Sequence, residues 1–378
     1  MAQFQFRKHF VGLSLPRGCY AQTALADLDG DGVLEYIVGR QYGEIYCYKM
    51  RTLDEWDRYR IGEDSPSDVG LCVHDVDGDG RPDLVTGGAW YRNTGDLSKP
   101  FERIVFDPDL TGVHDILAAD IDGDGRNEIL VMADRHDVRW YRIPDDPTQA
   151  WPQQHVGPAV HAGLAVGDLN GNGHLDIVRT NVWFENVNGD GRTWAEHRIG
   201  PNTPPPPDFQ KPFAFDATRS RVCDINGNGF NDIVFSDAEI PGAKLWWMEN
   251  VDGKGLQWRR HEIADPDPPV RRAPLHSLFV GDLDGDGDLD VLSCEMEAIR
   301  GGQPPRWLIW ENVDGKGGVW KEHVILDENL GGHEAVVGDV TGSGKPDVIA
   351  KPWRPHPENA VGGEMFVLML ENVSTGMG

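Results

Sequence analysis

The sequence predicts an all-β fold, a single seven-bladed β-propeller spanning residues 1–378. Three observations predict it. First, an acidic hairpin followed by an apolar run recurs seven times, beginning at Asp27, Asp75, Asp120, Asp168, Asp224, Asp282 and Asp339. Second, two further strands keep step with each hairpin at a period of 45 to 58 residues. Seven four-stranded units at such a period are the signature of a propeller. Third, the last strand of the unit follows only six of the hairpins; its seventh copy, FQFRKHFV, stands at the front as residues 4–11. Such a displaced strand closes the last blade and leaves no open sheet edge.

Within each unit, strand A precedes the hairpin and B follows it. Strand C carries aromatic residues, as in IYCYK, AWYRN, RWYRI, VWFEN and LWWMEN. Strand D carries a His-containing pattern, as in WAEHRI, WRRHEI and WKEHVI. Each run is short, β-branched or aromatic, and bounded by Gly, Pro, Asn or Asp. No stretch shows sustained helical periodicity.

Composition agrees. Apolar residues make up 39% of the chain, and 13 Trp argue against disorder despite a formal net charge of −27. That acidity excludes a phosphate-binding stripe, so no nucleic-acid partner is expected. No apolar run approaches the roughly 18 residues of a membrane span. The N-terminus, MAQFQFRKHFVG, lacks a basic-then-apolar leader. Calcium loops suit export and sparse Cys suits the cytoplasm, so the compartment stays open. The five Cys (19, 47, 72, 223 and 294) show no paired spacing and read as reduced thiols.

The hairpins place carboxylates at alternating positions, with Gly allowing the turn and a later acid closing the shell. That is the ligand pattern of a hard cation, so structural calcium is expected at several sites. Four hairpins are fully acidic: Asp27/Asp29/Asp31/Glu35, Asp75/Asp77/Asp79/Asp83, Asp120/Asp122/Asp124/Glu128 and Asp282/Asp284/Asp286/Asp290. Two are mixed, Asp168/Asn170/Asn172/Asp176 and Asp224/Asn226/Asn228/Asp232. The last, Asp339/Thr341/Ser343/Asp347, is expected to be weak or empty. An EF-hand is excluded, because it needs Glu at loop position twelve, where Val38 and Thr86 stand here.

These repeats resemble the FG-GAP/VCBS type, the calcium-loop propeller of integrin α heads, some fungal lectins and several sugar lyases. The resemblance runs from Phe4 to about Asn372. Among the lyases, the chain resembles the propeller domain of aldos-2-ulose (1,5-anhydrofructose) dehydratase and the lyases that cut rhamnosyl–glucuronate linkages. Both act by elimination at the propeller centre, so the resemblance implies a saccharide partner.

Histidine partitions the chain. Five of the 13 occupy the strand D position (His9, His155, His197, His261 and His323), where recurrence suggests a structural or solvent-facing role. His114, His276 and His333 each lie six residues before the first Asp of their hairpin, and His161 lies seven before. Inner strands line the central channel, so these four are expected to share one cavity opposite the hairpins. Arg219 and Tyr20 stand near the same level. The candidate catalytic set is therefore His114, His161, His276 and His333 with Arg179, Lys351, Tyr20 and Arg219. In it His276, His333 and Glu295 approach a metal or a substrate acid, His114 or His161 is the base, and Arg179 and Lys351 clamp an anion. Arg135, His136, Asn181, Glu239, Trp353, Arg354 and His356 on the upper loops are candidate substrate contacts. The longest upper connections are Gly200–Pro212, Asp265–Pro274, Met296–Pro305 and Pro352–Glu364, stiffened by Pro into pocket walls.

The expected function is a carbohydrate lyase or dehydratase performing β-elimination on a uronate or keto sugar, with a further divalent metal at the centre as an option. The alternatives are a non-enzymatic carbohydrate-binding propeller and a central-His glycoside hydrolase. A monomer or small homo-oligomer is expected.

Overall fold

The structure is a computed structural model, and it describes residues 4–134, 136–200, 217–296 and 304–374. Among these are 28 strands and no helices. They form seven four-stranded antiparallel sheets. Six sheets are consecutive in sequence. The seventh joins Phe6–Gly12 to the last three strands, with His9 opposite Met369. The front strand thus closes the ring.

The inner strands are Tyr20–Ala26, Cys72–His74, Val113–Ala119, Leu164–Gly167, Thr218–Cys223, Phe279–Gly281 and His333–Gly338. Each touches the next, and the last touches the first. The hairpins lie at one end of these strands and the four channel histidines at the other.

The core is distributed between the blades. Seven separate buried clusters each join residues of two neighbouring blades. Trp183 of blade four, for example, packs with Ile233 and Phe235 of blade five. Its indole N–H donates to the Gly255 carbonyl of that blade, as Trp140 does to Gly191 and Trp247 to Gly317. Burying a large apolar side chain contributes roughly 1.5–3 kcal/mol, so adhesion between blades rests on these residues.

Three of the strand D histidines are held by carboxylates of their own blades. His197, His261 and His323 stand 2.8, 2.8 and 2.6 Å from Glu185, Glu249 and Glu311 of the adjacent strand C. His197 and His261 also stack on Trp183 and Trp247. All five Cys are free thiols. Of the four long upper connections, most of Gly200–Pro212 and Met296–Pro305 lies outside the described residues. Among the described residues no helix is long and apolar enough to cross a membrane.

Candidate active site

The four channel histidines meet at the upper mouth. The His114 ring lies 4.5 Å from His161 and 5.9 Å from His276 between centroids. His276 stacks on His333 at 4.0 Å, with the planes 21° apart, and Trp353 lies 5.1 Å beyond His333. Together they line a cavity of about 240 Å³, completed by Gln41, Asp68, Val69, Glu239, Met296, Trp353 and Arg354.

Carboxylates flank three of the four imidazoles. His276 stands 3.0 Å from Glu239 through Nε2 and 3.0 Å from Glu334 through Nδ1. Burial alone would lower its pKa, but the two carboxylates outweigh burial and hold it up at about 9. His114 Nδ1 lies 3.3 Å from Asp115, and His161 Nδ1 lies 3.1 Å from Asp134. Beneath them, Arg219 donates to Asp115 at 2.9 Å and to Glu334 at 3.1 Å. Burial would raise both acids, yet the Arg219 guanidinium and the neighbouring imidazoles hold Asp115 well below the carboxylate range and Glu334 at about 2. His333 is the opposite case: burial, the charge on His276 and the Lys351 ammonium push it well below its ordinary value. One ring is therefore held charged and its stacking partner neutral.

Asp115 and Glu334 directly follow channel histidines. In a regular strand neighbouring side chains point to opposite faces. Here the pairing register slips between Val113 and Asp115 and between His333 and Val336. Glu334 also has φ of 52°, in the left-handed region that a non-glycine residue rarely adopts. A bulge re-aims a side chain, and these two bring the acid onto the same side as its His. Gly163, at φ +112°, donates its N–H to Asp115, and a Cβ there would meet Thr218 Oγ1 at 2.7 Å. The inserted glycine accounts for His161 lying seven residues before its hairpin.

At the other end of the channel, four hairpins bring carboxylate oxygens within 4.8 Å of one another: Asp27/Asp29/Glu35, Asp75/Asp77/Asp83, Asp120/Asp122/Asp124 and Asp282/Asp284/Asp290. Asp29 Oδ1, Glu35 Oε1, Asp120 Oδ1 and Asp122 Oδ1 are buried without a hydrogen bond. Hard oxygens with spare lone pairs fit calcium. Burial pushes Glu35, Asp83, Glu128 and Asp290 up to about 7.

The remaining hairpin positions lie outside these four groups. Asp31, Asp79 and Asp286 sit at exposed tips, where Oδ1 of each accepts the backbone N–H two residues on, from Val33, Arg81 and Asp288, at 2.9 Å. Asp79 is also paired with the Arg81 guanidinium. Glu128 instead accepts the Ile121 N–H at 2.9 Å. In the two mixed hairpins the amides are engaged in the same way. Asn170 and Asn226 each accept, at 3.1 Å, from the backbone N–H of Asn172 and Asn228. Asn172 and Asn228 in turn accept from His174 and Phe230 at 2.8 Å. Asn170 also donates Nδ2 to Glu185. Each mixed hairpin has two carboxylates at the predicted positions, Asp168 with Asp176 and Asp224 with Asp232, and its Asn side chains add amide oxygens, which are also hard ligands.

A family model described as the FG-GAP-like repeat matches residues 24–86, 120–178 and 224–293, just over half of the chain. The chain belongs to the FG-GAP-like repeat family. No curated protein matches it. Among solved structures it is similar to BBS1N in complex with ARL6DN, at 10% identity and TM-score 0.57 over 99% of this chain and 98% of that one. It is also similar to YCF48 from Cyanidioschyzon merolae, at 10% identity and TM-score 0.50 over 97% and 98%. The rhamnogalacturonan lyase YesW aligns at 13% identity and TM-score 0.48, over 97% of this chain and 76% of that one.

Several predicted site residues of this FG-GAP propeller lie elsewhere. Glu295 does not join His276 and His333; Arg306 holds it in a bidentate pair, and Glu239 and Glu334 take that place. Arg179 is buried against the Phe184 ring and does not line the cavity. Tyr20 is buried in the core between blades seven and one. Lys351 is buried beneath His333, donating to the carbonyls of His333 and Tyr20. His136 is exposed, and neither it, Asn181 nor His356 lines the cavity. Arg135 lies outside the described residues. Asp115 and Glu334 were missed, although each forms a His-acid dipeptide at the top of strand A.

Proposed function

We propose that this FG-GAP propeller is a carbohydrate lyase that performs β-elimination on a uronate or keto sugar in the central cavity. One observation carries the reading: His161 and His276 face the same cavity, and His276 lies between two carboxylates. His161, whose Nδ1 lies 3.1 Å from Asp134, is assigned the role of base. Across the cavity, His276 stays an imidazolium between Glu239 and Glu334.

His161 then removes the proton next to the carboxyl or carbonyl group. The imidazolium of His276 stabilises the charge that develops there and supplies a proton to the leaving oxygen. Trp353 beside His333 gives a face for a sugar ring, and Arg354 supplies positive charge at the rim for an acid group. Alanine at His161 or His276 is expected to lower the formation of unsaturated sugar, read by ultraviolet absorbance, about 100-fold or more. Wild-type rates in both variants would sink the reading. Products without a double bond would favour a hydrolase.

The acidic hairpins are proposed to hold calcium as structural ions that rigidify the A–B turns, supported by the buried oxygens described above. A divalent metal at His276, His333 and Glu334 is a second reading of the centre. Their ligand atoms lie within 4.8 Å, and His276 Nδ1 faces Glu334 Oε1 at 3.0 Å without hydrogen-bond alignment. Metal analysis of purified protein separates the two. A third reading is a binding ring, since BBS1N was solved in complex with ARL6DN. Unaltered, saturable sugar or protein binding without turnover would support it.

A further inference from the structure

The residue of strand C that faces the hairpin divides the ring into two charge classes. In every blade strand C pairs in the same register, with Tyr48, Tyr91, Tyr141, Phe184, Met248, Trp310 and Leu370 opposite the residue after the closing acid. The next residue is Lys49, Arg92 or Arg142 in blades one to three. In blades four to seven it is Glu185, Glu249, Glu311 or Glu371.

The three cations reach into their own hairpins. Lys49 Nζ lies 2.6 Å from Asp31 and 3.5 Å from Glu35, and it also donates to Asp29. Arg92 Nε lies 2.9 Å from Asp77. Arg142 pairs with Asp122 and, at 3.0 Å, with Asp124. Each of the four glutamates instead meets the strand D His of its blade. Three of the four fully acidic hairpins therefore carry a tethered positive charge.

We infer that Lys49, Arg92 and Arg142 are built-in counter-ions that compete with divalent cations at hairpins one to three. The inference rests on the calcium reading of the hairpins. A tethered ammonium or guanidinium pairs with the same carboxylates that a divalent ion needs, so the ion binds only in competition with that side chain. Its charge also opposes the ion after displacement. The first three blades thus keep their turns neutralised when calcium is scarce, whereas hairpin six, fully acidic with Glu311 at this position, depends on the ion.

Equilibrium dialysis of chelator-stripped protein against radioactive calcium tests this. K49Q, R92Q and R142Q, singly and combined, are expected to tighten calcium binding at least tenfold at the altered hairpin, or to add one ion per substitution. R259Q removes a positive charge that pairs with Glu249 outside any hairpin, and is expected to change nothing. Without calcium the triple variant should melt below wild type and regain the difference once calcium is added. Titrations that match wild type overturn the inference, as does an equal gain in R259Q. If wild type binds calcium and the variants bind it identically, only the counter-ion inference falls. If no protein binds calcium, the hairpin reading falls with it.

Discussion

His276 is charged because two carboxylates from different blades hold its two nitrogens, and His333 is neutral because it is buried, lies against that charge and stands above Lys351. A histidine whose folded pKa is raised from 6.5 to about 9 stabilises the native state fully below pH 6.5. That contribution is lost as the pH rises through about 9. Elimination is accordingly expected to fall on an alkaline limb near pH 9, when His276 gives up its proton. Glu239→Gln removes one of the two supporting charges and should move the limb to lower pH, as read from a rate profile and from the His276 NMR titration. An unmoved limb would dissociate His276 from the chemistry. The histidines were legible because inner-strand positions converge on the axis, so equal offsets from the hairpins imply a common cavity. Their acids were not. Strict alternation puts Asp115 and Glu334 on the far face, and only a bulge, which leaves no plain mark in the sequence, turns them back. Glu295 was misplaced for a related reason: proximity in level says nothing of Arg306, eleven residues later, which claims it.

The position that follows Lys49, Arg92, Arg142 and the four glutamates of strand C is an asparagine in five blades, and that asparagine joins three structures. Asn250 donates Nδ2 to the Leu169 carbonyl of the previous blade and accepts the Gly255 N–H through Oδ1, while its backbone N–H donates to hairpin Asp232. Asn93, Asn186, Asn312 and Asn372 repeat the cross-blade bond to Leu28, Ile121, Ile225 and Leu283. Asn250→Ala leaves a buried carbonyl and a buried N–H unsatisfied. It is expected to cost about 1–3 kcal/mol in denaturant unfolding, whereas an exposed neighbour such as Lys254→Ala should cost little. Blades one and three carry Met50 and Ile143 at this position, and there the closing acid is the longer Glu35 or Glu128. The repeated Glu-Asn pair was visible in the sequence as part of a strand. Its role was not, because the partner carbonyl lies 65 to 89 residues away.

The whole ring is closed by pairing Phe6–Gly12 with Val367–Asn372, as the displaced strand pattern foretells. Deleting residues 4–12 should expose the edge of the last sheet and the cluster that Phe4 helps to bury. We expect a lower and broader thermal transition and self-association on gel filtration. A sharp, wild-type transition would show that the clasp is dispensable. The clasp also imposes an order in time. During synthesis the first strand leaves the ribosome hundreds of residues before its partner exists, so six blades can stack while it stays unmatched. A nascent chain therefore spends most of its translation as an open arc with two unsatisfied ends, and chaperones that shield bare sheet edges would matter most in that interval.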